Sequence, residues 1–335
     1  MRLSDNIAGV TILAFGNGAP DIFTSLVSGG DGAIIMFTEL IGAGVFVTSM
    51  IAGSVAIIKP FKVSLGSLMR DACFYIISVC WISFVVWDEM VYLWEAVSFI
   101  LVYVLFIVAV VIMQMYDTRE ENLKIWRTTV GNVPVMAIFL VVGTVTGVIV
   151  FVTTHVDRVP KFHNLFAFLG FLAGMLTVYL VAGEVMAVLQ CIGYACSISD
   201  AMLGITFLAW GNSIGDLISN TTIARQGFPR MGYAACFGGP MFNTLLGLGL
   251  TYGIAAAADP EQQTKIRISD MAPGCLAFLL CSLVATIIYL NITGAVARRS
   301  YGGLLYSIYF AFILIQFLSE LHVIHPLGTD HRPDM

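Results

Sequence analysis

The sequence is poor in charge, because charged residues make up 11% of its 335 residues, whereas soluble globular domains carry roughly 25%. Seven cysteines are present, but the CxxC and His-paired spacings typical of zinc sites are lacking, and we interpret the cysteines as small, buried packing residues. The first residues contain neither a basic presequence nor a cleavable signal peptide. The formal net charge is only −5, so nothing supports nucleic-acid binding.

Hydrophobic residues are abundant instead, at 59% of the chain with a mean hydropathy of +0.91. Ten apolar stretches reach the roughly 20 residues that span a bilayer, and they must be helical because lipid cannot satisfy open backbone groups. They lie near residues 4–29, 33–58, 68–87, 91–115, 132–154, 164–191, 200–224, 232–257, 271–293 and 301–323. These segments predict an all-α integral membrane protein of about ten helices, with no room for a soluble domain.

Two parts of the chain repeat each other. SDNIAGVTILAFGNGAPDIFTS at 4–25 aligns without gaps on SDAMLGITFLAWGNSIGDLISN at 199–220, with nine of 22 positions identical. We call these segments the two motif helices. GAGVFVTSMIAG at 42–53 likewise matches GGPMFNTLLGLG at 238–249, and we call the helices that contain them the two follower helices. Such duplications are typical of transporters, whose site lies where two interrupted helices meet.

The positive residues test whether the copies run in opposite directions, since Lys and Arg concentrate on one side of a membrane. Plain alternation of ten spans splits the 16 Lys and Arg ten to six. If the stretch 116–154 does not reverse sides, the split becomes 13 to 3, which favours an inverted repeat. The residues then sharing one side are Arg2, Lys59, Lys62, Arg70, Arg119, Lys124, Arg127, Arg158, Lys161, Arg225, Arg230, Arg298 and Arg299.

A long apolar segment precedes the second motif helix, whereas none precedes the first. We therefore expect a first repeat at 1–115 that lacks its first helix. A shortened linker at 116–163 with one hydrophobic segment, a second repeat at 164–325 and a polar tail at 326–335 complete this predicted organisation.

Each motif helix carries a carboxylate, Asp21 or Asp216, within its apolar span. A charged side chain there costs about 2.5 to 3.5 kcal/mol on insertion scales. Structural carboxylates that bond between helices are the simpler explanation, but duplication of the whole Asn and Asp pattern favours a shared ligand.

Helical spacing places the polar residues of each motif helix on one stripe. The first stripe contains Thr11, Ala14, Asn17 with Gly18, and Asp21, and the second contains Thr206, Ala209, Asn212 with Ser213, and Asp216. Pro20 and the glycines interrupt the helices and free backbone carbonyls. Carboxylate, amide and carbonyl oxygens are ligands of calcium, so the pattern indicates a site for a hard cation.

The follower helices contribute less equally, since Asn243 of the second is matched by Val47 of the first. Thr48 and Thr244 are matched hydroxyls that can equally bond back to their own helices. Close helix approach explains the glycines, namely Gly42, Gly44, Gly238 and Gly239. Glu184 is a further candidate for the ion pathway, and Glu39 is a weaker one.

The phrases AFGNGAPDIFTSLVS at 14–28, AWGNSIGDLISN at 209–220 and ARQGFPRMGYAACFGGPMFNTLLGLGL at 224–250 resemble the cation/calcium exchanger superfamily. Within it they are similar to the branch of mitochondrial sodium/calcium (lithium) exchangers and plant cation/calcium exchangers, with ARQGFPRM and LFAFLGFL favouring the mitochondrial side. The resemblance covers nearly the whole chain.

The resemblance implies an inverted-repeat exchanger fold and a secondary antiporter, not an enzyme, that exchanges sodium, or lithium, for calcium by alternating access. It implies no cofactor besides the transported ions, and a lipid bilayer as surroundings. The mitochondrial inner membrane is the expected location, with other membranes and a homo-oligomer left open. Carried over by position, the cation ligands are Asn17, Asp21, Asn212, Ser213, Asp216 and Asn243, with Asp21 and Asp216 as the metal-binding carboxylates.

Three alternatives remain. A proton-coupled cation/calcium exchanger would use the same site, and a shortened isoform would no longer transport. An intramembrane aspartyl protease also uses two membrane aspartates as an acid and base pair. The sequence disfavours the protease, because the only Tyr-Asp pair is Tyr116 with Asp117 in a loop and no Pro-Ala-Leu occurs.

Overall fold

The computed structural model describes residues 9–14, 18, 22, 33–127, 129–130, 133–134, 188, 199–259, 263–265, 269–321 and 323–324. Two compact units are present, one formed by Met1–Ile107 with Tyr179–Met335 and the other by Val108–Val178. Seven of the described helices are long and apolar enough to cross a membrane. They confirm seven of the ten predicted spans, whereas those near 4–29, 132–154 and 164–191 fall largely outside the described residues.

In the first half, the motif helix contains a π-helical segment, π1 (Gly9–Leu13). The first follower helix consists of α1 (Ala33–Phe46), the π-helical segment π2 (Val47–Ile51) and α2 (Ala52–Ile58). Two further spans follow, α3 (Leu65–Val85), which continues into a 3₁₀ turn (Val86–Asp88), and α4 (Leu93–Arg127). Helix α4 extends beyond the predicted end at residue 115, because the charged run after it is rich in the helix-favouring residues Glu, Lys and Arg.

In the second half, the motif helix consists of α5 (Asp200–Leu203), π3 (Gly204–Leu208) and α6 (Ala209–Arg225). The second follower helix is α7 (Pro229–Ala258), which begins with Pro229 in its first turn, where the missing N–H costs no hydrogen bond. The last two spans are α8 (Ala272–Ile292) and α9 (Arg299–Glu320).

In the described part of the chain, six short strands form three antiparallel pairs. Strands β1 (Phe61–Lys62), β2 (Met90–Tyr92), β3 (Thr129–Val130), β4 (Val133–Pro134), β5 (Gln263–Lys265) and β6 (Val296–Ala297) all lie in connections between helices. In these pairs Phe61 lies opposite Ala297, Val91 opposite Thr264, and Val130 opposite Val133.

The strand pairs establish the direction of each span. Strand β1 connects α2 to α3 and pairs with β6, which connects α8 to α9, so these connections lie at one end of the helices, here called end A. Strand β2 precedes α4 and pairs with β5, which follows α7, at the opposite end B. The first follower helix therefore runs from end B to end A, and α7 runs from end A to end B. This antiparallel arrangement confirms the predicted inverted repeat.

Positive side chains agree with this topology. Lys59 precedes β1, Lys62 is its last residue, and Arg298 and Arg299 follow β6. The Nε of Arg230 donates a hydrogen bond to the Lys62 carbonyl at 2.8 Å. All are at end A, as the 13 to 3 split predicts. Lys265 lies at end B within β5. End A is therefore the positive side of the protein.

The two repeats interlock through matched glycines. Gly42 of the first follower helix lies against π3, where an added Cβ would be 3.1 Å from the Ile205 Cα. Its counterpart Gly238 lies against π1, where an added Cβ would be 2.8 Å from the Val10 Cα. Val10 and Ile205 occupy the same position of the duplicated motif. Each motif helix thus packs on the follower helix of the other repeat, at a distance that favours glycine at both positions and leaves no room for a Cβ at Gly238.

A second matched pair continues the same pattern toward the other ends of the follower helices. Gly53 packs on α9, where an added Cβ would lie 3.2 Å from the Gly302 carbonyl oxygen. Its counterpart Gly249 packs on α4, with the Ala96 carbonyl oxygen at 3.1 Å. Each follower helix therefore packs on a helix of the other repeat at this second position as well. Matched contacts of this kind are expected of two copies related by a two-fold axis.

The cysteines correct one interpretation. Cys236 and Cys275 are buried as predicted, but Cys80 and Cys281 are exposed on the surfaces of α3 and α8. In a membrane protein these surfaces face lipid, which accommodates a small apolar side chain as well as a protein core does.

Candidate functional site

A small, partly open cavity lies where the second motif helix meets both follower helices. It is lined by Glu39, Leu40, Ala43 and Val47 from the first follower helix, by Asn212, Ser213 and Asp216 from α6, and by Pro240 and Asn243 from α7. The structure thus brings together four of the six predicted cation ligands, namely Asn212, Ser213, Asp216 and Asn243.

Helix α6 has one polar, inward face and one apolar, outward face. Ser213 is 2% exposed and Asn220 is fully buried, whereas Ile214 and Ile218 are 58% and 62% exposed. The inward residues follow the predicted stripe, and the outward residues follow a second stripe at the same helical spacing. Polar residues point inward because their hydrogen-bonding partners are in the protein, while lipid solvates the isoleucines.

Asn212 is held by a carboxylate of the other repeat. Its Nδ2 donates a hydrogen bond to Oε1 of Glu39, a residue 173 positions earlier in the chain. Glu39 is only 4% exposed, and no Lys, Arg or His among the described residues lies within 4.0 Å of its carboxylate. The orientation of the Asn212 amide therefore directs its NH₂ group toward Glu39 and leaves its carbonyl oxygen for another partner.

Glu39 lines the cavity, although the sequence analysis makes it a weaker candidate for the ion pathway than Glu184. The available signal was its spacing, because Glu39, Ala43 and Val47 are four residues apart and share a helix face, and Val47 is the counterpart of Asn243. The matched position of Glu39 in the second repeat is Ala235. The first repeat therefore contributes to the cavity an acid that the repeat pattern itself does not reveal. Glu184, the predicted pathway residue, lies outside the described residues.

The first motif helix reaches the site through Gly18. An added Cβ at Gly18 would overlap Oδ1 of Asn243 and would lie 2.7 Å from Cδ1 of Phe242, so a glycine is needed for this approach. Asn17, Pro20 and Asp21, which surround Gly18 in the sequence, lie outside the described residues.

The predicted supporting residues occupy the buried stripes. Ala14 is 1% exposed and Ala209 is fully buried. Thr206 is buried but donates its hydroxyl to the Met202 carbonyl one turn earlier, at 2.7 Å. Thr11 is half-buried within π1. For Gly239, no atom of the described part of the chain lies within 4 Å of an added Cβ.

The matched hydroxyls of the follower helices preserve the repeat down to single hydrogen bonds. Thr48 donates to the Gly44 carbonyl at 2.8 Å, and Thr244 donates to the Pro240 carbonyl at 2.7 Å. The acceptor of the second bond is the carbonyl of Pro240, the proline inside α7. The prediction that these threonines can bond back to their own helices is confirmed.

The π-helical segments are also duplicated. Segment π1 covers Gly9–Leu13 and π3 covers Gly204–Leu208, the same five positions of the motif. A π-helical turn widens the backbone and weakens its regular hydrogen bonding, and such turns occur frequently at functional sites. Both motif helices thus change their backbone geometry one to two turns before the duplicated Asn and Asp residues.

The lining groups offer carboxylate, amide and hydroxyl oxygens within a membrane-embedded protein. Calcium and sodium prefer such oxygen donors. In the part of the chain that the structure describes, no cluster of three or more His, Cys, Asp or Glu residues is present. Asn212, Ser213 and Asn243 supply amide and hydroxyl oxygens to the lining of the cavity, which suits a hard cation better than a transition metal.

Comparison with known proteins supports this chemistry. The family described as "Sodium/calcium exchanger protein" matches residues 1–112 and 166–318. The mitochondrial sodium/calcium exchanger protein of Rattus norvegicus is 30% identical, over 97% of this chain and 77% of that protein. Cation/calcium exchanger 5 of Arabidopsis thaliana is 26% identical, over 95% of this chain and 76% of that protein.

Two groups of solved structures share the fold. The sodium-calcium exchanger NCX_Mj has a TM-score of 0.56 at 17% identity, covering 93% of this chain and 87% of its own. The H⁺/Ca²⁺ exchanger CAX has a TM-score of 0.62 at 12% identity, covering 95% and 82%. With its duplicated motifs, its antiparallel follower helices and the match over both halves, the chain belongs to the sodium/calcium exchanger protein family.

Proposed function

We propose that this protein is a secondary antiporter that exchanges sodium for calcium across a membrane. The observation that carries the proposal is the convergence of Asn212, Ser213, Asp216 and Asn243 on one cavity between antiparallel follower helices. Membership of the family and relatives named sodium/calcium exchangers support the same function. An ion pathway gives a role to a carboxylate and amides placed within membrane spans.

In this proposal Asn17 and Asp21 of the first motif helix complete the cation site. Their sequence positions match Asn212 and Asp216, and the close approach of Gly18 to Asn243 supports a contribution of the first motif to this cavity. Asp21 and Asp216 would bind sodium and calcium in turn, so that the two ions compete for the same carboxylates. Competition of this kind couples the two fluxes, because the site releases one ion before it accepts the other.

Alternating access follows from the symmetry of the packing. Each motif helix packs on the follower helix of the other repeat through matched glycines. Because the repeats are inverted, an arrangement that opens the cavity toward end A has a symmetry-related arrangement that opens it toward end B. We propose that the protein moves between these two arrangements with the bound ion.

The mitochondrial inner membrane is the proposed location. Relatives named mitochondrial sodium/calcium exchanger align over nearly the whole chain. The positive residues of end A would then face the matrix, following the positive-inside rule. The proposed domain organisation keeps repeats at 1–115 and 164–325, and the interruption of the family match between residues 113 and 165 supports the linker at 116–163.

Purified protein in liposomes tests this function. Vesicles loaded with sodium and diluted into sodium-free buffer with radioactive calcium should accumulate calcium, and vesicles without the sodium gradient should not. Replacing sodium by lithium shows whether lithium also drives exchange. Calcium uptake driven by a pH gradient, without sodium, would instead support the proton-coupled alternative, and no uptake under any gradient would contradict exchange by this chain.

A further inference from the structure

We propose that Glu39 is a third acidic group of the cation site, which orients Asn212 and increases the preference of the cavity for a divalent over a monovalent cation. This inference rests on the proposed function, since it concerns the same cavity. Neither the duplicated motif nor the set of predicted ligands includes Glu39.

Position is the first argument. Glu39 lines the cavity together with Asn212, Ser213 and Asp216, and it is 4% exposed. It lies on the first follower helix, so it brings an acid from the repeat opposite to the one that supplies Asp216. Within the described spans two other carboxylates are comparably buried, Asp71 and Glu95. Neither lines the cavity, and Asp71 is paired with Arg70 at 2.7 Å.

Charge is the second argument. A buried carboxylate in a membrane span is expensive unless an opposite charge approaches it. Asp71 obtains that charge from the neighbouring arginine. For Glu39, no basic side chain of the described residues is within 4.0 Å, whereas the cavity of the proposed cation site adjoins it. The transported cation is thus the positive charge that the structure makes available to Glu39.

Hydrogen bonding is the third argument. Glu39 accepts from Nδ2 of Asn212, and an ionised carboxylate can only accept, so it selects the amide orientation in which the Asn212 Oδ1 is free to face a cation. Glu39 therefore acts on the ion in two ways, through its own charge and through the carbonyl oxygen that it positions.

The consequence for selectivity follows from electrostatics. The energy between the Glu39 charge and an ion is proportional to the charge of the ion, so loss of the carboxylate weakens binding of a divalent cation twice as much as binding of a monovalent one at the same position. The second repeat carries Ala235 at the matched position. Only the first repeat therefore contributes this electrostatic interaction with the ion.

The variant Glu39→Gln isolates the charge, because the Gln Oε1 can still accept from Asn212 and the side-chain volume is kept. In sodium-loaded liposomes we expect the calcium concentration for half-maximal uptake to rise about tenfold, and the sodium concentration for half-maximal exchange to rise by only about threefold. Glu39→Asp, which keeps the charge, should stay close to the unmodified protein. Glu39→Ala provides a second charge-free variant, and it copies the second repeat.

Glu95→Gln is the matched control, because Glu95 is also buried at 7% exposure but accepts a hydrogen bond from the Tyr92 backbone N–H and does not line the cavity. It should leave the ratio of the two half-maximal concentrations unchanged. An unchanged ratio in Glu39→Gln and Glu39→Ala would overturn the role of Glu39 while leaving exchange itself intact.

A binding measurement separates this inference from the proposed function. Calcium and sodium should each raise the thermal unfolding midpoint of the purified protein, since a ligand of the folded state stabilises it. In Glu39→Gln the calcium shift should fall more than the sodium shift, whether or not the liposomes transport. Equal loss of both shifts, or no loss of either, would contradict the proposal.

Discussion

Gly238 lies against the backbone of Val10, and an added Cβ would be 2.8 Å from the Val10 Cα and 2.9 Å from its carbonyl oxygen. These are backbone atoms, which cannot move aside as the end of a flexible side chain does. We therefore expect Gly238→Ala to lower the free energy of unfolding by about 1–3 kcal/mol, the usual cost of overpacking. Thermal unfolding of the detergent-purified protein measures this loss.

Its symmetry mate Gly42 offers a graded comparison, because the corresponding distance to the Ile205 Cα is 3.1 Å. Gly42→Ala should destabilise less than Gly238→Ala. Gly303→Ala is the control, since this exposed glycine has no described atom within 4 Å of an added Cβ. Equal stability of all three variants would show that the repeats do not depend on these contacts.

Asp216 lines the cavity on α6, and Asp216→Asn removes its charge while keeping its shape. Loss of an indirect partner of a metal ligand typically costs roughly 10–100-fold, so loss of a direct ligand should lower sodium-driven calcium uptake by about 100-fold or more. Asp21→Asn should have a similar effect, because Asp21 occupies the matched position of the first motif. Uptake by liposomes measures both.

Asp71→Asn serves as the comparison for these two variants, because Asp71 is a membrane carboxylate that is paired with Arg70 and does not line the cavity. This variant should affect the amount of folded protein more than the calcium affinity of the molecules that fold. Normal uptake by both Asp21→Asn and Asp216→Asn would remove the basis of the proposed site.

Gly18 permits the contact between the first motif helix and Asn243. In Gly18→Ala the new Cβ would meet side-chain atoms of Asn243 and Phe242 and no backbone atom, so these two side chains have to shift. We expect folding to be retained and sodium-driven uptake to fall by about tenfold, because the Asn243 amide leaves its place beside the cavity.

A second substitution distinguishes displacement of Asn243 from a general defect. Asn243→Ser shortens the side chain and leaves room for the Cβ that Gly18→Ala introduces, so combining the two substitutions should cause little further loss of uptake. If the two losses multiply instead, the residues act independently and the contact is not important for transport.

The topology predicts which connections share a side of the membrane. Lys62 and Arg298 lie in connections at end A, and Asp259 lies in the connection at end B. In a chain depleted of cysteine, Lys62→Cys and Arg298→Cys should react with an impermeant thiol reagent from the same side, and Asp259→Cys from the other. Labelling of all three from one side would contradict the inverted arrangement of the follower helices.

Much of the fold could be predicted from local patterns. The apolar runs predict the seven spans to within a few residues, since span length depends on bilayer thickness and not on the neighbouring helices. The end of α4 at Arg127 could not be predicted in this way, because hydropathy marks the membrane boundary and not the end of the helix. The exposed Cys80 and Cys281 show the same limit, since a small apolar residue suits lipid and protein equally.

Only part of the candidate site could be predicted from the sequence. The duplicated motif points to Asn212 and Asp216, because Asn17 and Asp21 stand at the matched positions of the first copy. Ser213 and Asn243 stand opposite Gly18 and Val47, and the family resemblance, not the repeat, predicts them as ligands. Glu39 has no acidic counterpart, because Ala235 occupies the matched position of the second repeat. Comparison of the two repeats therefore does not distinguish Glu39 from an acid with a structural role. Its spacing from Val47 is visible in the sequence, but its partner is not.

The sequence by itself determined that the protein spans a membrane, that its two halves are copies, and that each copy carries an Asn and an Asp in an interrupted helix. These are properties of composition and periodicity, which are local along the chain. Only the tertiary structure decided that each motif helix packs on the follower helix of the other repeat, and that Glu39 meets Asn212 across 173 residues. Such contacts depend on the faces by which helices pack, and those faces are selected by close approach at glycines whose partners lie in the opposite half of the chain.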